Sequence, residues 1–397
     1  MPNVMRRFGV EPNETMADVM ARHRGMGPGF DFIRIGRSSL IFYIHCQWLA
    51  GSTAVDPVAA VNAVGQAAVH AAPATAAAGN FHFDWQRPIH DMLVPMFFAV
   101  SGFLVTGSAI RLRKTSTFLW FRVLRLLPAL VTEVTLSALV LGPALTAYTM
   151  SQYFSDPLFA RYFLNILGNV HFLLPGLFQG NPVRAVNINL WTLPGEFYCY
   201  LFTTIGMLTA VIYKSRVFTI ALIVASFVLV PYAVITGYGA YGTGFKTLTE
   251  LVYYFFIGVA FYHWRDRIPV KLSFLIAAGV ISYASTATGQ RLIFVAPIFV
   301  CYTILVIGML KIPRIPLLQR GDYSYGIYLY GFPICQAFIA LEPALRGHSR
   351  LLFLASFPAT LIFAAASWHL IEKPALKLKK AFSAKTIPIE PKVRVES

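Results

Sequence analysis

Three groups of residues have the types and spacing for chemistry. Arg34 and His45 stand 11 residues apart in one apolar run, Asp31-Phe-Ile-Arg-Ile-Gly-Arg-Ser-Ser-Leu-Ile-Phe-Tyr-Ile-His45. On a helix that spacing returns to nearly the same face, about 20° off, and rises about 16 Å. One face then carries a cation that can hold phosphate at its lower end and a titratable base near mid-membrane. The plainer alternative is a histidine hydrogen-bonded between helices and an arginine that only sets orientation. Glu196 lies in Asn189-Leu-Trp-Thr-Leu-Pro-Gly-Glu-Phe-Tyr-Cys-Tyr-Leu-Phe202, just past Pro194 and Gly195, which break the regular helical ladder. A carboxylate inside an apolar helix needs a partner or a proton. His45 is the expected partner, because a carboxylate fixes a histidine's tautomer and raises its basicity; a structural pair with an arginine is the alternative. Arg122 and Arg125 are three residues apart, hence on one helix face. They suit bidentate contacts to phosphate, or they mark topology alone. Ser101 and Gly102 are small residues that let helices approach closely. Ser101 is placed along the path of a donor rather than as a nucleophile, since no G-x-S-x-G elbow surrounds it.

These residues sit in repeated apolar runs near 20 residues, the length that crosses a bilayer core. Hydrophobic residues make up 57% of the chain and charged residues 13%, against about 25% charged in a soluble domain. That excludes an ordinary soluble enzyme. The expected fold class is all-α: a polytopic integral membrane protein of about ten transmembrane helices. The spans fall near 32–52, 89–111, 118–145, 189–213, 217–237, 247–264, 271–288, 291–311, 323–343 and 350–371. Residues 1–30 form a loosely ordered cytoplasmic arm, 31–375 the transmembrane domain, and 376–397 a cytoplasmic tail. Lys and Arg collect in alternate loops: Arg111, Arg113 and Lys114, then Lys214 and Arg216, then Arg265 and Arg267, then Lys311, Arg314 and Arg320. Every second loop is therefore cytoplasmic, and both termini lie inside. The Ala-rich segment 58–78 is expected as an extracytoplasmic loop. Segment 157–178 is apolar but contains Arg161, Asn165, Asn169, His171 and Pro175. It is expected to be re-entrant or interfacial, since a full crossing would reverse every later loop.

The net charge of +16 is explained by these orientation signals. No basic patch stands free of a span, so nucleic-acid binding is excluded. Cys46, Cys199, Cys301 and Cys335 lie far apart in apolar runs and read as small hydrophobes. No His/Asp/Glu cluster has ligand spacing, so no metal is expected.

Taken in order, the motifs resemble the membrane-bound acyltransferase family 3, which O-acylates polysaccharides, lipopolysaccharide, Nod factors and related glycans in bacteria. Arg34 and His45 look like the family's Arg-x10-His. Phe98-Ala-Val-Ser-Gly-Phe103 is similar to its F-x-x-S-G-F, and Arg122-Val-Leu-Arg125 to its R-x-x-R. Trp191-Thr-Leu-Pro-Gly-Glu196, Tyr323-Ser-Tyr-Gly-Ile-Tyr-Leu-Tyr330 and Ile371-Glu-Lys-Pro374 resemble its later elements, so the likeness covers about residues 31–375. Two positions depart from the pattern. Pro95 stands where many members carry an acid, and Gly331 where many carry a histidine.

The resemblance implies a multi-pass protein of the bacterial inner membrane that moves an acyl group, acetyl above all, from cytoplasmic acyl-CoA to a hydroxyl of an extracytoplasmic polysaccharide or glycolipid. Acetyl-CoA or another acyl-CoA is then a co-substrate, with no resident cofactor. Arg34, Arg122 and Arg125 are expected on the donor's phosphates, Ser101 along its path, and His45, oriented by Glu196, at the thioester. The partners are the donor, the saccharide acceptor and the lipid bilayer, with glycan-assembly proteins or a second copy of the chain as further candidates. A transporter or flippase of glycans or organic anions is the rival, because buried ionisable groups also serve transport.

Overall fold

A computed structural model of the chain describes residues 2–51, 85–236, 248–287, 296–312 and 321–383. The expected loop at 58–78 lies outside these residues. Among the described residues there is no strand, only isolated bridges between Thr15 and Pro269 and between Thr146 and Leu177.

A helix overlaps each expected span. These are α1 (Phe30–Leu49), α2 (Arg87–Leu112), α3 (Thr115–Leu136), α4 (Leu193–Leu208) and α5 (Ser215–Thr236). They continue with α6 (Leu248–His263), α7 (Leu272–Ala287), α8 (Ala296–Met309), α9 (Ser324–Leu341) and α10 (Ser349–Ser367). Among the described residues four continuous helical runs are long and apolar enough to cross a membrane: Pro88–Leu112, Thr115–Leu145, Ser324–Leu341 and Ser349–Lys379. Helix α1 is of similar length but carries Asp31, Arg34 and Arg37 in its first turns, which lowers its hydropathy. The molecule is thus an all-helical membrane protein.

Helix α1 is wedged among its neighbours, and this sets the site. Phe42, Cys46 and Leu49 pack against α9 and α10, while Ile41 and Ile44 meet Leu93 of α2. His45, between these two faces, is therefore turned inward.

The closest helix contact joins α2 and α6. A Cβ built on Gly102 would fall 2.0 Å from the Phe255 carbonyl oxygen, and one on Gly258 would fall 2.2 Å from that of Ala99. Only glycine lets the two backbones approach this far, so Gly102 of the Ser-Gly pair is a packing residue. Backbone cannot yield as a side chain can. Gly102→Val should therefore cost about 1–3 kcal/mol, the usual range for overpacking. Thermal unfolding in detergent checks this, and an unchanged midpoint would contradict the contact.

Two expectations about irregular segments have different outcomes. Segment 157–178 holds only a short helix, Pro157–Tyr162, and a 3-10 stretch, Phe163–Leu167, so it forms no spanning helix. The Asn165 side chain donates to the carbonyls of Tyr162 (2.7 Å) and His171 (2.8 Å) and accepts from the His171 N–H (2.8 Å). Tyr162, Leu174 and Leu177 pack with Ala129, Leu130 and Val134 of α3. Irregular backbone is thus kept against protein, as an apolar setting requires.

The N-terminal arm, by contrast, is not loose. Met16–Arg22 is a helix with a Thr15–Asp18 capping box. The Thr15 N–H and hydroxyl hold the Asp18 carboxyl below its ordinary value. Val10, Met16, Val19 and Met20 are buried. Backbone bonds run from Met16 N–H to Ile268 (3.0 Å), from Val270 N–H to Glu14 (2.8 Å) and from Lys311 N–H to Phe8 (2.7 Å). The arm's apolar residues are too few to register in its polar composition, yet they join the core and tie the arm to the segments that follow α6 and α8.

Candidate active site

His45 lines a cavity of about 70 Å³ between α1, the first turns of α2 and the segment just before α4. The ring is only 7% exposed. It stands edge-on to Phe332, with centroids 5.3 Å apart, and tilts against Trp48 at 5.4 Å. Among the described residues it makes no hydrogen bond, so both nitrogens are uncommitted there.

The opposite wall carries His90, Asp91 and Pro95. Pro95 lies inside α2, one turn beyond Asp91. The same wall thus carries an imidazole and a carboxylate. Sequence reading noted the missing acid at Pro95 but overlooked Asp91 one turn before it. The available signal was that spacing, since residues four apart share a helix face.

The second part of the site is a cluster of buried charges nearer the start of α1. Asp322, just before α9, accepts from Arg34 at 3.3 Å and from Arg125 at 2.5 Å. Arg125 also meets Glu372 at 3.5 Å, and Ser324 donates to the other Asp322 oxygen. Burial pushes the Asp322 carboxyl up, but Arg125 and Arg34 more than offset this and hold it below its ordinary value. Arg122 donates to Ser108 at 3.2 Å and lies over the Phe118 and Tyr200 rings. Arg37 lies over the Phe97 ring, 4.6 Å from its centroid. Ser101 is half-buried one turn beyond Phe97 on α2.

The expected pairing of Glu196 with His45 is not formed. Glu196 accepts from the Tyr200 hydroxyl at 2.5 Å and lies in the field of Arg125, Arg122 and Arg37. The physical reason is its position in the first turn of α4, on the side turned to α3, where three cations compete for it. The expected clamp also needs correcting. Arg34 and Arg125 do come together, from residues 91 apart, but Asp322 already holds them. Sequence reading passes over Asp322, counts Arg37 only among the orientation signals before the first span, and notes Glu372 only as part of a motif.

Fold and site define a helical membrane protein with a histidine-lined cavity beyond a buried arginine cluster. A family model described as an acyltransferase domain matches residues 28–369, and the chain belongs to this acyltransferase family. It is 27% identical over 304 residues to an O-acetyl transferase of Shigella phage Sf6, covering 70% of this chain and 83% of that protein. It is 30% identical over 324 residues to nodulation protein 10 of Rhizobium leguminosarum bv. viciae, covering 75% and 85%. No solved structure matches significantly.

Proposed function

We propose that the protein transfers an acyl group, acetyl in the first instance, from acyl-CoA in the cytoplasm to a hydroxyl of a polysaccharide or glycolipid outside the inner membrane. The observation that carries this reading is the layout of α1: cations at its start and an uncommitted imidazole in a cavity about 16 Å further along. Likeness to an O-acetyl transferase supports the acetyl group. Ten crossings with both termini inside would put the arginines on the donor's side.

In the proposed reaction the donor's phosphates bind at the arginine cluster and its thioester reaches the cavity. The acceptor oxygen attacks the thioester carbonyl. A C–O bond forms, the C–S bond breaks, and the hydroxyl proton passes to His45 and then to the leaving thiolate. Acylation of His45 itself before transfer is the variant of this route. Asp91, the carboxylate on the cavity wall, orients the ring. Glu196 and Asp322 serve as counter-charges that keep the arginines in place.

The test uses membrane vesicles carrying the protein, with labelled acetyl-CoA on the cytoplasmic side. Label should appear in covalent ester linkage on a glycan. Movement of glycan or anion across the vesicle wall with no ester formed would instead favour a transporter.

A further inference from the structure

Among the described residues, one arginine of the charge cluster lacks the pairing that its neighbours have. Arg34, Arg37, Arg122 and Arg125, all half-buried, face Glu196, Asp322 and Glu372, with Lys379 in the field of Arg122 and Arg125. Asp31 reaches only Arg34, at 3.6 Å, from an exposed position. Arg34 and Arg125 are held by Asp322, and Arg125 also by Glu372. Arg122 has its bond to Ser108. Arg37 has neither a salt bridge nor a hydrogen bond among the described residues. Among the described residues its guanidinium lies over the Phe97 ring, near Tyr328, and its Nε is buried without an acceptor. Glu196 and Asp322 act on it only at a distance, and both are committed elsewhere. A buried cation with unspent donors is expensive unless an anion arrives to meet it.

We propose that Arg37 is the seat for a singly charged anionic group of the acyl donor, namely the phosphoryl group next to its pantetheine arm. This rests on the donor reading above. The chemistry fits in three respects. A guanidinium edge offers parallel N–H donors to phosphoryl oxygens. One guanidinium without an ion pair among the described residues matches the single charge that this phosphoryl group carries within the donor's diphosphate. Arg37 lies eight residues before His45 on α1, a rise of about 12 Å, which an extended pantetheine arm can span to bring its thioester to the ring. Arg34 and Arg125, already paired with Asp322, then form the outer rim rather than the principal clamp.

A cation with a buried donor that lacks an acceptor also has a signature in the protein without ligand. Arg37→Met replaces it with an apolar chain of similar length, and such replacements are often neutral or stabilising. The variant should melt at or above the wild-type temperature without ligand. Donor recognition is read on the purified full-length protein with two thioesters, acetyl-4′-phosphopantetheine and acetylpantetheine, which differ by that one phosphoryl group. The wild type should prefer the phosphorylated thioester by at least about tenfold, the effect of about 1.4 kcal/mol. In Arg37→Met and Arg37→Gln the preference should fall to within about twofold, and Arg37→Lys should restore part of it.

A preference that survives in a folded Arg37→Met protein overturns the proposal, as does a wild type indifferent to the phosphoryl group. Succinylpantetheine supplies the other anion source. If it alone is preferred over acetylpantetheine, the seat reads the acyl carboxylate and the phosphoryl assignment is wrong. Inorganic pyrophosphate separates this inference from the donor reading. If no pantetheine thioester binds, yet pyrophosphate raises the melting temperature of the wild type and not of Arg37→Met, the anion seat stands and the donor has been misjudged.

Discussion

Replacing His45 by Gln should abolish acyl transfer while the protein folds and still binds its donor. A positioned general base contributes about 10²–10⁴-fold to rate, and a nucleophilic role would make the loss larger. The structure gives two reasons to expect folding to survive. The ring makes no hydrogen bond among the described residues, so its removal orphans no buried partner. It is also walled by a cavity on one side, so a side chain of similar length can be accommodated without overpacking. The loss should appear in kcat, with donor affinity unchanged, because the groups assigned to the donor's phosphates lie elsewhere on α1. Transfer of labelled acetyl at saturating acetyl-CoA is the measurement. Near-normal turnover in a folded His45→Gln protein would remove this histidine from the chemistry.

The positions of the helices were legible in the sequence because hydropathy and loop charge are properties of single segments. Alignment of Arg34 with His45 was equally legible, since helix geometry alone sets it. The partners of the charged groups were not. Arg125 meets Asp322 across 197 residues and Glu372 lies further on, and such pairs depend on how each helix is rotated against its neighbours. Glu196 shows the consequence. Its type and surroundings correctly demanded a polar partner, yet the nearest eligible group was Tyr200, one turn along the same helix. Arg37 was hidden for a different reason. Close to the start of α1 it looked like one more orientation signal, and only its burial without an acceptor sets it apart. The folded arm was hidden because five buried residues in a polar stretch produce no hydropathy peak.

The departure of Glu196 from His45 leaves the imidazole without an orienting group, and this makes Asp91 the second position of large effect. It is the carboxylate on the cavity wall, and Pro95 one turn later loosens the helix beside it. A base held in the wrong tautomer or tilted from the reacting hydroxyl loses about 10²-fold from slight misplacement alone. Asp91→Asn should therefore lower kcat by about that factor and leave the donor's KM nearly constant. Glu196→Gln should do the opposite, because it acts on the arginines and not on the ring: a shifted donor KM with a smaller change in turnover. The crossed pattern separates positioning from mere damage, since a structural defect would depress both constants in both variants. Adding His45→Gln to each supplies the last control. Asp91→Asn should cost little more once the ring is gone, as expected for residues acting as a unit. A full additional loss there would show that Asp91 works through some group other than His45, and a kcat effect confined to Glu196→Gln would return the orienting role to the fourth helix.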